Sequence, residues 1–165
     1  MPPVRCSSVV PVPASGRIYR AERQVRLGDV RPSGRLRLDA LSRYLQDIAN
    51  DDAMDAGLPN AMGWVVRRVV LELEPRLPSF RDKVELVTFC GGTGSRWAER
   101  RTDVCVDGEA LARAAALWVH VDPVRRRPVP LPPEFLELYG EAAAGRSVAA
   151  RLRHDPPPEG AAASQ

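Results

Sequence analysis

Histidine, cysteine and lysine are all scarce in this chain of 165 residues, and each shortage narrows the chemistry open to it. The cysteines, Cys6, Cys90 and Cys105, form an odd set without the spacing of a metal site. We therefore expect reduced thiols in a cytoplasmic protein rather than a disulfide framework, with no metal and no other cofactor. Neither His120 nor His154 stands beside a cysteine in the sequence. We therefore interpret Cys90 and Cys105 as small apolar core residues rather than as nucleophiles activated by a histidine.

Aromatic residues make up only 5% of the sequence, the net charge is +3, and Lys83 is the sole lysine beside many arginines. The sparse aromatics and the small net charge argue against a nucleic-acid-binding module, which combines a strongly basic face with stacking aromatics. No apolar run approaches the length of a membrane span, so no membrane insertion is expected. What remains is an ordinary globular composition, 44% hydrophobic and 27% charged, enough for one domain with its own core.

The stretch 38–57, LDALSRYLQDIANDDAMDAG, is the only long helical pattern with clear boundaries. One stripe at three- and four-residue spacing, apolar except at Asp52, consists of Leu38, Leu41, Leu45, Ile48, Ala49, Asp52 and Ala56. No glycine or proline interrupts the pattern, and Gly57 supplies a C-terminal stop. Asp51, Asp52 and Asp55 lie where the helix dipole disfavours negative charge, a local conflict typical of functional or strained sites.

The chain after this helix is rich in β-branched residues broken by proline and glycine, which predicts antiparallel strands. With one strand before the helix, the predicted strands cover residues 17–30, 64–73, 83–89, 97–106 and 111–121. Hairpin turns are expected at 91–94 and at Asp107-Gly108, and a short helix at 134–139. The alanines of 111–121 favour helix, but the hairpin turn before that stretch favours a strand.

One long helix followed by a run of antiparallel strands predicts an α+β domain whose sheet is covered by that helix. We expect this domain at 17–140, after a disordered leader at 1–16 in which prolines break a short apolar run. A Pro- and Ala-rich tail or inter-domain linker is expected at 141–165. Because a lone sheet leaves its edge exposed, we also expect a homodimer or a partner domain that covers it.

Three short motifs carry a family resemblance. The sequence LQDIA at 45–49 resembles the LQE-x-A of the acyl-acyl-carrier-protein (acyl-ACP) thioesterases. WVVRR at 64–68 resembles their WVV-x-R strand, and DKVELVT at 82–88 their GD-x-V-x-V-x-T strand. Further matches follow in family order at Arg100-Arg101, Gly108-Glu109, 114–119, 125–127 and Leu131-Pro132. The resemblance spans roughly residues 20–140 and implies a single hot-dog domain, a long central helix wrapped by an antiparallel sheet of about five or six strands.

That family usually carries two hot-dog domains in one chain, and this sequence resembles the N-terminal one. As the resemblance implies, a D-x-N-x-H-V-N-N pattern in the second domain supplies the acid, amide and imidazole. The comparable loop here carries Arg31, Ser33 and Arg35 in place of Asp, Asn and His. The resemblance implies a protein of lipid metabolism that hydrolyses fatty acyl thioesters of ACP or CoA. The alternative is a non-catalytic domain that binds the acyl chain or the carrier protein for a partner catalytic hot-dog subunit.

Thioester hydrolysis needs a group that activates water and donors for the oxyanion, and the long helix offers candidates for both. Asp47 and Asp51 share a helix face, and desolvation would raise the pKa of such a carboxylate toward a useful value. Asn50 can orient a water or the thioester carbonyl, and the backbone N–H groups of 37–40 can serve as oxyanion donors. The structural alternatives are an Asp47–Arg43 ion pair in water, a solvated Asp51, and an Asn50 that bonds to the helix end.

Two tryptophans and a set of strand arginines are the candidate substrate-binding residues. Trp64 and Trp118 can line an acyl tunnel, although core packing alone also explains two such aromatics. Arg67 and Arg68 can meet an acidic carrier protein or the phosphates of its pantetheine arm. The solvated face of a sheet also accounts for arginines in this pattern without any ligand.

Overall fold

The computed structural model describes residues 9–58 and 63–150. Its strands are β1 (Ile18–Gln24), β2 (Trp64–Leu73), β3 (Lys83–Thr93), β4 (Trp97–Val106), β5 (Glu109–Asp122) and β6 (Arg127–Pro128). Its helices are α1 (Leu38–Asp55) and α2 (Pro133–Ala143), and a 3-10 turn covers Leu27–Asp29. One long helix against a six-stranded antiparallel sheet confirms the predicted α+β class and the hot-dog architecture.

The sheet runs in the order β1-β3-β4-β5-β2, and the short β6 pairs with the end of β5. All of these pairings are antiparallel, so hairpins connect β3 to β4 and β4 to β5. Strands β1 and β2 form the two edges. Strand β2 follows α1 directly in the chain but pairs with β5 rather than with β1, which lies at the opposite edge of the sheet.

The main core lies between α1 and one face of the sheet, which we call the inner face. The helix contributes the buried side chains Ala40, Leu41, Tyr44 and Ile48, and the sheet contributes Val84, Leu86, Val104, Val106, Leu111 and Ala112. Burying each large aliphatic side chain of this kind contributes about 1.5–3 kcal/mol to stability. The stripe predicted from helical spacing is confirmed at Leu41 and Ile48, whereas Leu38 is 44% exposed and the packed surface also includes Ala40 and Tyr44.

The end of α1 follows its sequence signals. The helix ends at Asp55, and Gly57 takes a φ of 70°, a left-handed conformation that favours glycine. The N–H of Gly57 donates to the carbonyl of Met54 at 3.1 Å. The predicted helix at 38–57 and its glycine stop are both confirmed.

The first strand is shorter than expected. It ends at Gln24 instead of residue 30, and the 3-10 turn at Leu27–Asp29 follows it. Asp29, only 8% exposed, holds this turn by accepting hydrogen bonds from the backbone N–H of Arg26 at 3.0 Å and the Tyr44 hydroxyl at 2.7 Å. A buried carboxylate with these donors outweighs the alternating pattern that predicted a longer strand.

The turn predicted at 91–94 is also displaced, because β3 continues to Thr93. A β-bulge lies between Cys90 and Gly92, and the hairpin turn falls immediately after the strand. A Cβ on Gly91 would stand 2.6 Å from the Cγ of Arg101, so this glycine makes room for a neighbouring side chain rather than for a turn.

The second hairpin, strand β5 and helix α2 agree with the sequence more closely. Asp107 and Gly108 take φ values of 51° and 79°, as a tight two-residue hairpin requires. The stretch 111–121 lies within strand β5, which confirms the choice of strand over helix. The helix expected at 134–139 is longer than predicted, since α2 covers Pro133–Ala143.

Segments near both ends of the described chain contact the sheet, and the C-terminal one pairs with the end of β3 through a parallel bridge between Thr93 and Ser147. Arg101 of β4, 0% exposed, donates from Nε to the carbonyl of Val10 at 3.1 Å. Near the C-terminal end of the described chain, Trp97 Nε1 donates to the carbonyl of Val148 at 2.7 Å, and Arg146 Nε donates to that of Gly91 at 2.7 Å. The predicted leader and tail thus contribute contacts to the sheet where they are described, and their remaining parts, 1–8 and 151–165, lie outside the described residues.

Neither helix in the described part of the chain combines the length and the apolar character that a bilayer crossing requires.

Candidate functional site

A cavity of about 210 Å³ lies beyond the main core, between the second half of α1, the inner face of the sheet and α2. It is lined by Gln46, Ala49, Asn50, Ala53, Leu58, Trp64, Cys90, Ala98, Glu99, Arg100, Trp118, Phe135 and Tyr139. Its walls are mostly hydrocarbon with a few polar groups, and we call it the acyl-side cavity after the acyl chain that the sequence resemblance implies as substrate. This balance is typical of a small-molecule site.

The cavity exists because α1 changes the size of its inward side chains along its length. Toward its C-terminus the residues that reach the cavity include Ala49 and Ala53, whereas the first half buries Leu41 and Tyr44 against the sheet. Short side chains leave space between helix and sheet that α2 closes from the side. The helical pattern in the sequence therefore predicts which side of α1 faces inward. It does not predict that Ala49 and Ala53 line a cavity, because alanines are also common in a packed core.

The α2 wall is aromatic. The Phe135 ring packs on Tyr139 with centroids 4.8 Å apart, and on Trp64 of β2 at 5.1 Å. Trp64 also packs on the ring of His120 at 5.0 Å, with a tilt of 42° between the planes. Tilted aromatic contacts of this kind contribute about 0.5–1.5 kcal/mol each beyond burial. The contacts with Phe135 and His120 therefore restrict the orientation of the Trp64 ring at one end of the cavity.

A buried ionic cluster closes the other side of the cavity. Asp52, 1% exposed, accepts hydrogen bonds from Arg17 Nε at 2.7 Å, Arg100 Nη1 at 2.7 Å and the Tyr139 hydroxyl at 2.9 Å. Arg17 also donates to Asp55 at 2.7 Å. Burial by itself lowers the pKa of Arg17, but the hydrogen bonds to Asp55 and Asp52 outweigh it and raise the pKa.

This cluster explains why α1 has aspartates near its C-terminus, where the helix dipole disfavours negative charge. Asp52 interrupts the apolar stripe because it faces Arg100 of β4 and Tyr139 of α2 rather than hydrocarbon. Burial raises the pKa of Tyr139, against the opposing charge of Arg100, so this hydroxyl stays protonated and donates. The four groups join α1, β4, α2 and the segment before β1 at the cavity wall.

The three predicted catalytic residues separate into two groups. Asn50 lines the acyl-side cavity, whereas Asp47 and Asp51 are not among its lining residues. Their side chains are 50% and 42% exposed, and they lie 4.0 Å and 2.9 Å from Arg23 of β1. The pairing of Asp47 with Arg43 is wrong, because Arg43 reaches Asp29 at 2.5 Å instead. The catalytic role predicted for the two aspartates gains no support from this geometry.

The predicted substrate-binding residues also divide. Trp64 and Trp118 line the cavity as expected, and they lie on the neighbouring strands β2 and β5. Arg67 is exposed, and Arg68 donates from Nη2 to the carbonyl of Ala149 at 3.4 Å. Neither arginine is among the residues that line the cavity.

Cys90 lies on the cavity wall and is 4% exposed. Burial raises the pKa of its thiol to about 11, so the group is uncharged and unsuited to attack at neutral pH. This supports the interpretation of Cys90 as a small apolar residue.

A second cavity, of about 410 Å³, adjoins the first and shares Leu58 and Trp64 with it. We call it the histidine-side cavity, because His120 lines it together with Asp122 and Glu134. The His120 Nδ1 lies 2.9 Å from the carbonyl oxygen of Pro130. Sequence analysis gave no role to this histidine, since its partners Trp64 and Pro130 come from other segments of the chain.

The fold and the apolar cavity at the helix define a domain of the hot-dog class. The chain belongs to the acyl-ACP thioesterase family, since the family profile described as the acyl-ACP thioesterase N-terminal domain matches residues 16–139. The resemblance drawn from the short motifs is thereby confirmed.

Known proteins similar to this chain include one sequence and two structures. The uncharacterized protein Rv2001 of Mycobacterium tuberculosis is 24% identical over 136 residues, which cover 81% of this chain and 53% of that protein. The 12:0-ACP thioesterase of Umbellularia californica is 26% identical, with a TM-score of 0.66, covering 81% of this chain and 56% of that one. An acyl-ACP thioesterase of Bacteroides thetaiotaomicron is 23% identical, with a TM-score of 0.64 and coverage of 86% and 56%. The chain thus spans about half the length of these relatives.

Proposed function

We propose that this protein hydrolyses fatty acyl thioesters, and that the acyl chain occupies the acyl-side cavity. The observation that carries the proposal is an apolar cavity between helix and sheet, walled by Trp64, Trp118 and Phe135, in a member of this family. Each methylene that moves from water into such a cavity contributes about 0.8 kcal/mol to binding. A chain of several carbons is therefore held firmly without any charged contact.

The polar groups of the cavity suit the other end of the substrate. Asn50 and Gln46 lie one helical turn apart on the same wall, and their amides can hydrogen-bond a thioester carbonyl or a water. Arg100 lines the same cavity while Asp52 holds its guanidinium at 2.7 Å. We assign Asn50 to orienting the thioester or the attacking water. The exposed Asp47 and Asp51 have no part in this arrangement.

The carrier of the acyl group, ACP or CoA, is proposed to contact the arginines beside β2 and β5. Arg67 is exposed on β2, and Arg125, Arg126 and Arg127 are exposed at the turn after β5. Both CoA and the pantetheine arm of ACP carry phosphate, and guanidinium groups bind phosphate well. The name of the Umbellularia californica relative, a 12:0-ACP thioesterase, agrees with an ACP-bound substrate and a role in fatty acid metabolism.

A second hot-dog domain, in another copy of this chain or in a partner, is proposed to pair with β2. This strand is a sheet edge and exposes large apolar side chains, Val65 at 53%, Val66 at 38%, Val69 at 42% and Leu73 at 40%. An exposed apolar edge strand is a site for pairing or aggregation unless another chain covers it. Pairing there would place the second domain beside Trp64 and the mouth of both cavities.

Hydrolysis of a series of acyl thioesters from C8 to C18, on ACP and on CoA, tests the proposed function. We expect release of free thiol above the buffer blank, with a preference for part of the series set by the finite cavity. No release above the blank for any member, from protein shown to be folded and in its native assembly state, would contradict the proposal.

A further inference from the structure

Arg100 has unused hydrogen-bond donors on the wall of the acyl-side cavity. In the described part of the chain its guanidinium donates from Nη1, to the Asp52 carboxylate at 2.7 Å and to the Thr88 hydroxyl at 3.2 Å. A guanidinium has five N–H groups, so those on Nε and Nη2 remain for a ligand. Asp52 and Thr88 thus fix the orientation of the group without using its full capacity.

Trp118 adds a second unused donor to the same cavity. Its Nε1 is buried and has no hydrogen-bond partner among the residues that the structure describes. Trp118 of β5 pairs with Ala98 of β4, and Ala98 and Arg100 lie on the same face of that strand. The side chains of Trp118 and Arg100 are therefore diagonal neighbours, within reach of one ligand. A buried N–H without an acceptor costs free energy, which an oxygen of that ligand would recover.

The charges around Arg100 favour an anionic ligand. Its buried counter-ion, Asp52, is shared with Arg17, and the second carboxylate on Arg17, Asp55, is 57% exposed. Two guanidinium groups thus meet one buried carboxylate beside the cavity. A ligand carboxylate at Arg100 would complete the pairing of these charges.

Glu99 also lines the cavity, but its carboxylate lies away from this site. Neighbouring residues of a strand point to opposite faces, so the side chains of Glu99 and Arg100 leave β4 on opposite sides. The Oε1 of Glu99 would stand 3.2 Å from a Cβ on Gly91. Burial raises the pKa of this carboxyl, against the positive charges of Arg101, Arg68 and Arg146. Glu99 therefore leaves the donors of Arg100 open to an anion.

We propose that Arg100 and Trp118 form a carboxylate-binding subsite inside the acyl-side cavity, which holds the fatty acid that hydrolysis releases; this inference rests on the proposed function. The indole ring packs on the hydrocarbon, while its N–H and the guanidinium bind the carboxylate. A carboxylate has two oxygens with about four acceptor positions, so the amide of Asn50 can share it.

The subsite has a consequence for turnover. Hydrogen bonds to a charged acceptor are stronger than those to a neutral one, so these donors bind the carboxylate of the product more tightly than the carbonyl of the thioester. Free fatty acid is therefore expected to compete with the substrate for the cavity.

The test measures the binding of decanoate and of 1-decanol, which have the same hydrocarbon chain, to the full chain at neutral pH by isothermal titration calorimetry. The measured quantity is the ratio of the two affinities. For the wild type we expect decanoate to bind roughly 10-fold more tightly. In Arg100→Gln, which removes the charge, the ratio should fall to about 1.

Two further variants complete the test. Trp118→Phe keeps an aromatic ring but has no N–H, and should lower the ratio roughly threefold. Arg20→Gln makes the same change of charge on β1, at a side chain that is 57% exposed and pairs with Glu85, and should leave the ratio unchanged. Damage to the fold alone would weaken both ligands together and would not move the ratio.

Equal binding of the acid and the alcohol by the wild type would overturn the subsite. So would a carboxylate preference that persists in R100Q, or, should R100Q not fold, one that is unchanged in W118F. Hydrolysis without a carboxylate preference would leave the proposed function in place. A carboxylate preference without hydrolysis would contradict the proposed function and leave the subsite in place.

Discussion

Asp52 of α1 and Arg100 of β4 form an ion pair at 2.7 Å, with the carboxylate 1% exposed. The pair lies at the wall of the acyl-side cavity and joins the central helix to the sheet. Because Arg17 and Tyr139 donate to the same carboxylate, one aspartate satisfies donors from three other segments of the chain. The shape of the cavity therefore depends on the buried carboxylate of Asp52.

Replacing Asp52 is expected to destabilise the fold strongly. In Asp52→Ala two guanidinium groups lose their buried partner, which costs about 3–5 kcal/mol of unfolding free energy. The control is Asp51→Ala, whose side chain is 42% exposed and pairs with Arg23 at 2.9 Å, and which should cost less than about 1 kcal/mol. Urea denaturation of the three proteins measures the difference. Equal midpoints for the two variants would show that the buried cluster does not hold the helix.

Acid should weaken the fold partly through Asp29. Burial alone would raise the pKa of this carboxyl, but hydrogen bonds from the Tyr44 hydroxyl and the Arg26 N–H, with the charge of Arg43, lower it. A carboxyl with a folded pKa below its unfolded value stabilises the protein above about pH 4, and that stability is lost as the pH falls through the folded pKa. We expect Asp29→Asn to flatten the dependence of unfolding free energy on pH below about 4. A dependence identical to that of the wild type would remove Asp29 from the acid response.

Filling the acyl-side cavity should shorten the preferred substrate. Ala53 lines the cavity together with Trp118 and Phe135, and Ala53→Leu adds three carbon atoms to its wall. We expect the ratio of kcat/KM for long over short acyl chains to fall several-fold, since each excluded methylene removes about 0.8 kcal/mol. Met54→Leu, at a neighbouring position that is 70% exposed, is the matched control. An unchanged ratio in A53L would place the acyl chain elsewhere.

Charge on the edge strand should prevent assembly. We expect the wild-type chain to sediment as a dimer or a larger assembly, and the double variant Val65→Lys with Val69→Lys to sediment as a monomer, because buried lysines oppose strand pairing. Val124→Lys, at a position that is 88% exposed and away from β2, should leave the assembly unchanged. Analytical ultracentrifugation at micromolar concentration gives the masses. A monomeric wild type without aggregation would contradict pairing through β2.

The long helix, most of the strands and two walls of the cavity could be predicted from the sequence because they depend on local spacing. Helical periodicity placed α1, and the resemblance to the thioesterases pointed to Trp64 and Trp118, which line the cavity. The sequence marked the acidic end of α1 as a local conflict, but the burial of Asp52 and its partners Arg17 and Arg100 could not be predicted from the helix alone.

The parts that sequence analysis missed depend on contacts between distant segments. Asp47 and Asp51 share a polar helix face, and the spacing alone could not tell that this face meets Arg23 rather than the cavity. Two adjacent glycines are as typical of a turn as of a bulge, and only the packing of Arg101 against Gly91 decides between them. The contacts of His120 with the Trp64 ring and the Pro130 carbonyl likewise join segments that lie far apart in the sequence or on different elements.

The most direct test of the account is a crystal structure of the protein with a non-hydrolysable acyl-pantetheine analogue, in which a thioether replaces the thioester. The account predicts electron density for the hydrocarbon chain within the acyl-side cavity, against Trp118 and Phe135, with the sulfur end toward Asn50. A chain bound outside this cavity, or a cavity that stays filled with water at saturating analogue, would contradict it.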